Sequence, residues 1–480
     1  LSGKDSQEKR EYQIRCLENG LLDYILTVDI FNEGIDIPSI NQVVMLRQTE
    51  SSIVFIQQLG RGLRKHESKD FVTVIDFIGN YKNNYLIPIA LSGDQSLNKD
   101  SIRRNLKEMT YIKGVSTVNF EEVARKRIFD SINRTNLTTL KILREAYNDL
   151  ENKLGRMPYL YDFIEHNSID PQVIVEKYQN YPMFLQALKK EIPLLTKYEL
   201  DVLTMLSLEV LNGKRKHEII LLSTLFEEDS IADEKFLGLL KHQGCSTDKK
   251  TLRSVRSIFD LSFFTKQNIK KYGERPIILW NGKTYRFNDL IRNSLQSNQN
   301  FRLFFKDILA CAKVKSSQYS TKSPLTLYKK YTRKEICKLL NWYKDESSTM
   351  FGYKIKHGTC PIFITYHKDD RIESSVKYED ELITTDVLRW FTTNNRTLRS
   401  KEVQSIINSK EKNIDLHIFI KKNDDEGTNF YYLGKAVPNK ETAEEREVIN
   451  DKGKKLPIVE MELLLENSVE YQLFKYLKSN

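Results

Sequence analysis

Three short apolar runs in the first ninety residues constrain the fold more than any other feature. They are residues 24–30 (YILTVDI), 43–47 (VVMLR) and 71–77 (FVTVIDF), with helical patterns at roughly 6–19 and 51–63 between them. Continuous β-branched runs alternating with amphipathic helices predict a doubly wound α/β sheet with both faces covered. Ligands of such sheets sit at the carboxyl ends of the strands. Two motifs fall there: DIFNEGID directly after the first run, and QQLGRGLR on the helix that follows the second.

On that helix Gln57, Arg61 and Arg64 lie at spacings of three and four and share one face, and Gly60 allows close backbone packing. Arginine keeps its charge and offers a planar fork, so two on one face suit a triphosphate in a transition state. An isolated RxxR reads better as a solvated basic face. The combination of TVDIFNEGIDIP with QQLGRGLR, however, resembles motifs V and VI of superfamily 2 helicases and translocases. With VIDFIGNY following, it is most similar to the branch that contains type I and type III restriction motors.

That resemblance implies a second RecA-like helicase lobe using ATP with Mg2+. Arg61 and Arg64 are then the arginine fingers on the γ-phosphate, with Gln57 in the same cleft. Gly34 and Asp36 line the ribose and couple it to DNA, and Gly60 is grouped with them at the nucleotide. The sequence contains no GxxxxGK[ST] loop and no DExx box, and SGKDS near its start lacks the glycine spacing of a phosphate nest. The chain opens on Leu1-Ser2-Gly3-Lys4, without Met, and is expected to be part of a longer polypeptide. The first lobe is expected upstream, and these 480 residues alone are not expected to hydrolyse ATP.

A chain of 480 residues holds about three domains. The 10% aromatic content argues against disorder, and no apolar run approaches the 18 or so residues of a membrane span. Five cysteines without a CxxC pair, and seven histidines that do not cluster with them, argue against disulfides and metal sites and suit the cytoplasm. The net charge of +10 favours a polyanionic partner only weakly.

The expected order is multidomain α/β, then α, then β. Residues 1–95 form the partial RecA-like lobe, and 96–320 a helical connector with a β-hairpin near 275–287. LGRMP and Asp170-Pro171 each mark a helix start. Asn281-Gly282 is a favoured hairpin turn. The connector reads equally as a helix-turn-helix module or a spacer, and the hairpin as a wing on DNA or a bracket between helices. Residues 321–437 are β-rich, and 438–480 read as a charged linker followed by a strand and a helix.

The β-rich segment, from YTRKEICKLLN through FITYHK and LRWFTTNNRTLRS to FYYLGK, resembles a domain found at the end of restriction helicases. It is similar to the SRA fold, a twisted barrel that recognises modified cytosine. The whole order resembles type IV, modified-cytosine-dependent restriction endonucleases, which act in phage defence. The nuclease of that family is phospholipase-D-like, and its HxK motif is absent here, so a homodimer through that missing part is implied.

A base reader must stack a flipped base and bond its edge. Tyr378 and Asp380, two apart on an apparent strand end, and Trp390 could clamp and read cytosine. Arg396, Arg399 and Lys401 in TTNNRTLRSK suit phosphate contact. Core packing of the two aromatics, and a strand-end cap by Asp380, are the competing readings.

The function expected is the motor-and-reader half of an ATP-dependent restriction endonuclease acting on double-stranded DNA that contains 5-methyl- or 5-hydroxymethylcytosine. A repair or remodelling helicase and a DNA-binding module alone are the alternatives.

Overall fold

Ser6 accepts a hydrogen bond from the Lys9 amide and starts α1 (Gln7–Glu18), where the first helix was expected. The computed structural model describes residues 1–2, 4–28, 37–46, 66–67, 69–77, 84–92, 99, 102–103, 118–134, 137–367, 380–449 and 454–478. They fall into two compact units, 1–137 and 138–480.

In the first unit β1 (Gln42–Met45) and β2 (Thr73–Asp76) pair in parallel, with Val43 opposite Val74 and Val44 opposite Ile75. A parallel pair needs a crossover of a dozen or more residues, which the intervening chain is long enough to supply; the helix expected at 51–63 lies outside the described residues. Two expectations fail. Residues 24–28 form only a bridge between Ser2 and Val28, with Tyr24 and Leu26 exposed. Among the described residues the β1–β2 pair is also covered on one face only. Val43, Met45 and Val74 pack with Ile87 and Ile89 of α2 (Leu86–Ser92) and Ile128 and Ile132 of α3 (Glu122–Arg134). Val44 and Ile75, one residue along, point to the opposite face and are exposed. Because α3 supplies part of this core, the unit runs to residue 137, past the expected boundary at 95.

The second unit begins with short helices. Thr139 caps α4 (Leu140–Leu154), which ends on Gly155 in the left-handed conformation. α5 (Leu160–Glu165) follows Pro158, and Asp170 caps α6 (Pro171–Tyr178) with proline in its first turn. Both sequence signals for a helix start therefore mark real boundaries. α7 (Tyr181–Ala187) and α8 (Lys197–Glu209) complete the first layer.

Next come α9 (Lys216–Glu227), β3 (Ile231–Ala232), α10 (Asp233–His242), α11 (Lys249–Phe259) and α12 (Lys266–Lys271). β4 (Ile278–Trp280) and β5 (Thr284–Phe287) form the expected hairpin, turning at Gly282 with φ of 95°. α13 (Asp289–Ser297) and α14 (Gln299–Ser316) close this part.

α14 organises the helices around it. The buried Asp307 carboxylate accepts the amides of Leu160 (2.7 Å) and Tyr161 (2.9 Å) at the start of α5. Burial pushes that carboxyl up to about 7 against the opposing pull of the two amides. The turn after α8 reaches α14 at Gly213, where φ is 72° and a Cβ would stand 2.6 Å from the Ser316 nitrogen. Only glycine fits there.

The remaining chain builds an eight-stranded sheet. Its elements are β6 (Lys330–Thr332), α15 (Arg333–Leu339), β7 (Thr359–Thr365), β8 (Glu381–Leu382), β9 (Val387–Phe391) and α16 (Lys401–Ile407). They continue with β10 (Asp415–Lys421), β11 (Asn429–Pro438), β12 (Glu444–Ile449), β13 (Lys455–Leu465) and α17 (Tyr471–Lys478). The order is β7-β10-β11-β13-β9-β8, with β12 on β13 and β6 on β11. β7 and β10 are parallel and the other pairs antiparallel.

A bulge at Ile418/Phe419 sharpens the twist. The expected closed barrel is not formed among the described residues. The path ends at β7 on one side and at the two-residue β8 on the other. One face packs Ile362, Ile418, Leu433 and Met461 with Val403 of α16 and Leu473 of α17. Elsewhere in the domain Phe363 stacks on Phe419 and meets Phe430 edge-on, with the Arg333 guanidinium over Phe363 and Phe430.

The expected boundary at 437/438 is also absent, because β13 lies inside the sheet between β11 and β9. At 320/321 the expected separation is crossed by a buried ionic cluster. Glu218 pairs with Arg215 (2.5 Å) and Lys338 (3.3 Å), Glu209 with Lys334 (2.5 Å), and Lys214 with Glu335 (2.6 Å). The Tyr272 hydroxyl donates to Glu209 as well. Burial works to raise the Glu218 carboxyl, but Arg215 and Lys338 outweigh it and hold it down to about 2. Helices and sheet domain are therefore joined through charges shielded from water. Among the described residues no helix is long and apolar enough to cross a membrane, and no group of three or more His, Cys, Asp or Glu could hold a metal.

Candidate nucleic-acid interface

The motor residues Gly34, Asp36, Gln57, Gly60, Arg61 and Arg64 lie outside the described residues. What is described is their frame. β1 and β2, the strands on either side of QQLGRGLR in the sequence, pair in parallel.

Of the six residues singled out in the sheet domain, Tyr378 lies outside the described residues. Trp390 is 3% exposed, packed edge-on against Tyr353 at 5.3 Å within the main core. Asp380 is buried, and its Oδ1 accepts the Phe391 amide at 3.0 Å. Core packing and a strand cap are thus what these two side chains do, because β9 alternates and position 390 falls on its inward face.

Arg396 is engaged by Glu402 at 2.8 Å, and its amide donates to the Pro457 carbonyl. The neighbouring loop is held by Thr392, whose hydroxyl accepts the Val459 amide, and by Glu445, which accepts the Leu398 amide. Arg399 and Lys401 at the start of α16 are exposed and form no ion pair among the described residues. They are the two of the six free to meet a phosphate.

A second basic surface was missed by the sequence reading. α11 (KKTLRSVRSIF) buries Thr251, Ser254, Val255, Ile258 and Phe259. Lys249 and Lys250 are exposed, while Arg253 and Arg256 are partly so and follow at the spacing of one helix face. The Arg253 guanidinium lies 3.7 Å over the Tyr343 ring, whose centroid is 4.0 Å from that of His357 in a stacked arrangement. Arg256 lies 4.1 Å over Trp280 of β4 and donates to the Tyr285 hydroxyl at 3.4 Å. These arginines and aromatics border a cavity of about 550 Å³, to which Trp342 also contributes. The signal was present in the spacing of 249, 250, 253 and 256 against an apolar remainder.

Comparison with known proteins matches residues 1–66 to the helicase conserved C-terminal domain. That stretch contains both DIFNEGID and QQLGRGLR. Residues 143–321 and 325–477 match two domains of unknown function, DUF8090 and DUF3427. Among curated relatives, the protein of Saccharomyces cerevisiae named as the ATP-dependent helicase IRC3 is 42% identical over 79 residues, 16% of this chain and 12% of its own length. The ATP-dependent DNA helicase uvsW of Enterobacteria phage T4 is 34% identical over 79 residues, 16% of either chain. The pre-mRNA-splicing ATP-dependent RNA helicase PRP28 of Kluyveromyces lactis is 39% identical over 60 residues, 12% of this chain and 11% of its own length.

The chain thus spans about a sixth or less of the length of these relatives. Its residues 1–66 are similar to a helicase C-terminal domain, and helical and sheet-rich parts follow.

Proposed function

We propose that this chain is the C-terminal part of an ATP-driven DNA translocase of the restriction type, with the sheet domain engaging duplex DNA that contains modified cytosine. One observation carries the motor half: the helicase match over residues 1–66 encloses both motifs that hold Arg61, Arg64, Gln57, Gly34 and Asp36. In this reading those residues meet ATP and Mg2+ in a cleft shared with a P-loop lobe. The exposed Arg399 and Lys401 support duplex contact by the sheet domain.

The burial of Asp380 and Trp390 favours a second reading, in which the same motor belongs to a repair or remodelling helicase that recognises DNA structure. Titrating the 480-residue chain against matched duplexes with cytosine, 5-methylcytosine or 5-hydroxymethylcytosine separates the two. A methyl in a fitted apolar pocket is worth about 1–3 kcal/mol, so the restriction reading expects roughly tenfold to two-hundredfold preference for a modified duplex. Equal affinity for all three selects the second reading.

A further inference from the structure

We infer that residues 216–287 form a winged helix-turn-helix that binds duplex DNA, with α11 as its recognition helix. The inference rests on the reading of the chain as part of a DNA motor, and its cations are other residues than those of the helicase motifs and than Arg399 and Lys401.

The topology is the first support. The elements run α9, β3, α10, α11, α12, β4, β5, with the short α12 inserted between α11 and the hairpin, and the three strands are ordered β3-β5-β4, so the first strand pairs with the last. β3 pairs through Ile231 with Tyr285, and β4 through Ile278 with Phe287. The sheet then projects a hairpin whose tip is Asn281-Gly282-Lys283, held by Asn281 Oδ1, which accepts the amides of Lys283 and Thr284. Two helices joined by a short turn, the second offering its outer face, are how a helix-turn-helix enters the major groove. The six residues 243–248 make that turn, and Asp248 caps α11 by accepting the Thr251 amide at 2.9 Å. A hairpin beside the recognition helix lies where a wing reaches the flanking backbone.

The charge is the second support. Lys249 and Lys250 stand in the first turn of α11, where recognition helices make base-edge contacts, and Arg253 and Arg256 continue the stripe. Lys283 at the hairpin tip adds an exposed cation. Two acids stand beside this face: Asp248, whose carboxylate accepts the Ser246 hydroxyl and the Thr251 amide, and Asp260, which borders the same cavity as Arg253 and Arg256.

Stacking on Tyr343 and Trp280 uses the flat faces of the two guanidiniums and leaves their N–H edges for other partners. Arg253 makes no hydrogen bond or ion pair among the described residues, so its edge is unspent. Two arginines immobilised on aromatic ledges lose little further rotamer freedom when they meet phosphate or guanine.

The test is fluorescence anisotropy of the 480-residue chain with an unmodified duplex and with single-stranded DNA of the same length, across a salt series. Wild type is expected to bind the duplex in preference, with affinity falling steeply as salt rises. Lys249→Ala/Lys250→Ala, both at exposed positions, is expected to bind the duplex roughly tenfold or more weakly at 0.1 M salt. Its log–log salt slope is expected to be shallower by about 2. Arg253→Ala/Arg256→Ala is expected to weaken binding too, with thermal unfolding followed in parallel to separate this from loss of fold. Absent duplex binding by wild type, an unchanged slope and affinity in the lysine variant, or a loss confined to single-stranded DNA would each overturn the inference. Because the duplex carries no modified cytosine, the result is independent of the modified-base titration.

Discussion

Arg64→Ala in the intact motor is expected to lower DNA-stimulated ATP turnover by about 10³–10⁵-fold while DNA binding survives. The loss is large because little covalent chemistry is required of a protein in phosphoryl transfer, so charge placed on the γ-phosphate is most of the catalysis. By its spacing Arg64 is expected to share a helix face with Arg61 and Gln57, so a single truncation leaves the second guanidinium in place. Arg64→Lys is expected to restore little, since a point charge does not reproduce the planar fork. Initial rates with and without DNA, beside a binding isotherm for each variant, give the answer. Near-normal turnover by Arg64→Ala would remove this residue from the phosphate site.

Glu218→Ala is expected to destabilise the helical and sheet parts together, by about 3–5 kcal/mol in denaturant unfolding. The side chain of Glu218 is 1% exposed and is the carboxylate between Arg215 and Lys338, which are 6% and 7% exposed. Truncation therefore leaves two cations in a dry interior with one fewer counter-charge. Lys338 still donates to the Glu209 carbonyl, and Arg215 to Ser254, so the structure is strained rather than emptied.

The same group sets an acid limit. Its folded-state value of about 2 lies below the ordinary 4.5, so its contribution is complete above pH 4.5 and is lost as pH falls from there toward 2. A loss under about 1 kcal/mol for Glu218→Ala would show that the ionic cluster is incidental to holding the two parts together.

Local signals in the sequence translated into structure where the chemistry was local. Gly155, Pro158 and Asp170-Pro171 set helix ends through conformations that only their own backbone dictates, and Asn281-Gly282 made its turn for the same reason. The strand runs at 359–365, 415–421, 429–438 and 455–465 were legible from β-branched and aromatic content.

Pairing was not legible. The position of β13 inside the sheet, which turned an expected tail into core, depends on contacts between residues far apart in the chain. Trp390 shows the limit for site residues. An aromatic on an alternating strand serves a core or a cleft equally well, and only the burial of its face decided between them. The ionic cluster was illegible for a different reason: Glu209, the Arg215–Glu218 pair at the start of α9 and Lys338 belong to three separate helical segments, and nothing in the sequence announces that these segments meet. The α11 stripe, by contrast, was written plainly in KKTLRSVRSIF and needed only the three-strand topology beside it to acquire meaning.

The most direct test of the central claim, that this chain is the DNA-engaging part of a motor completed by a P-loop lobe, is ATP hydrolysis by the purified 480-residue chain with and without duplex DNA. Its sequence contains no GxxxxGK[ST] loop and no DExx box, the motifs that cradle the phosphates and hold Mg2+ in such motors. The account predicts salt-sensitive duplex binding with no turnover, and DNA-stimulated turnover once the chain is joined to the P-loop lobe. Turnover by the 480 residues alone, or turnover by the joined motor that DNA leaves unchanged, would contradict it.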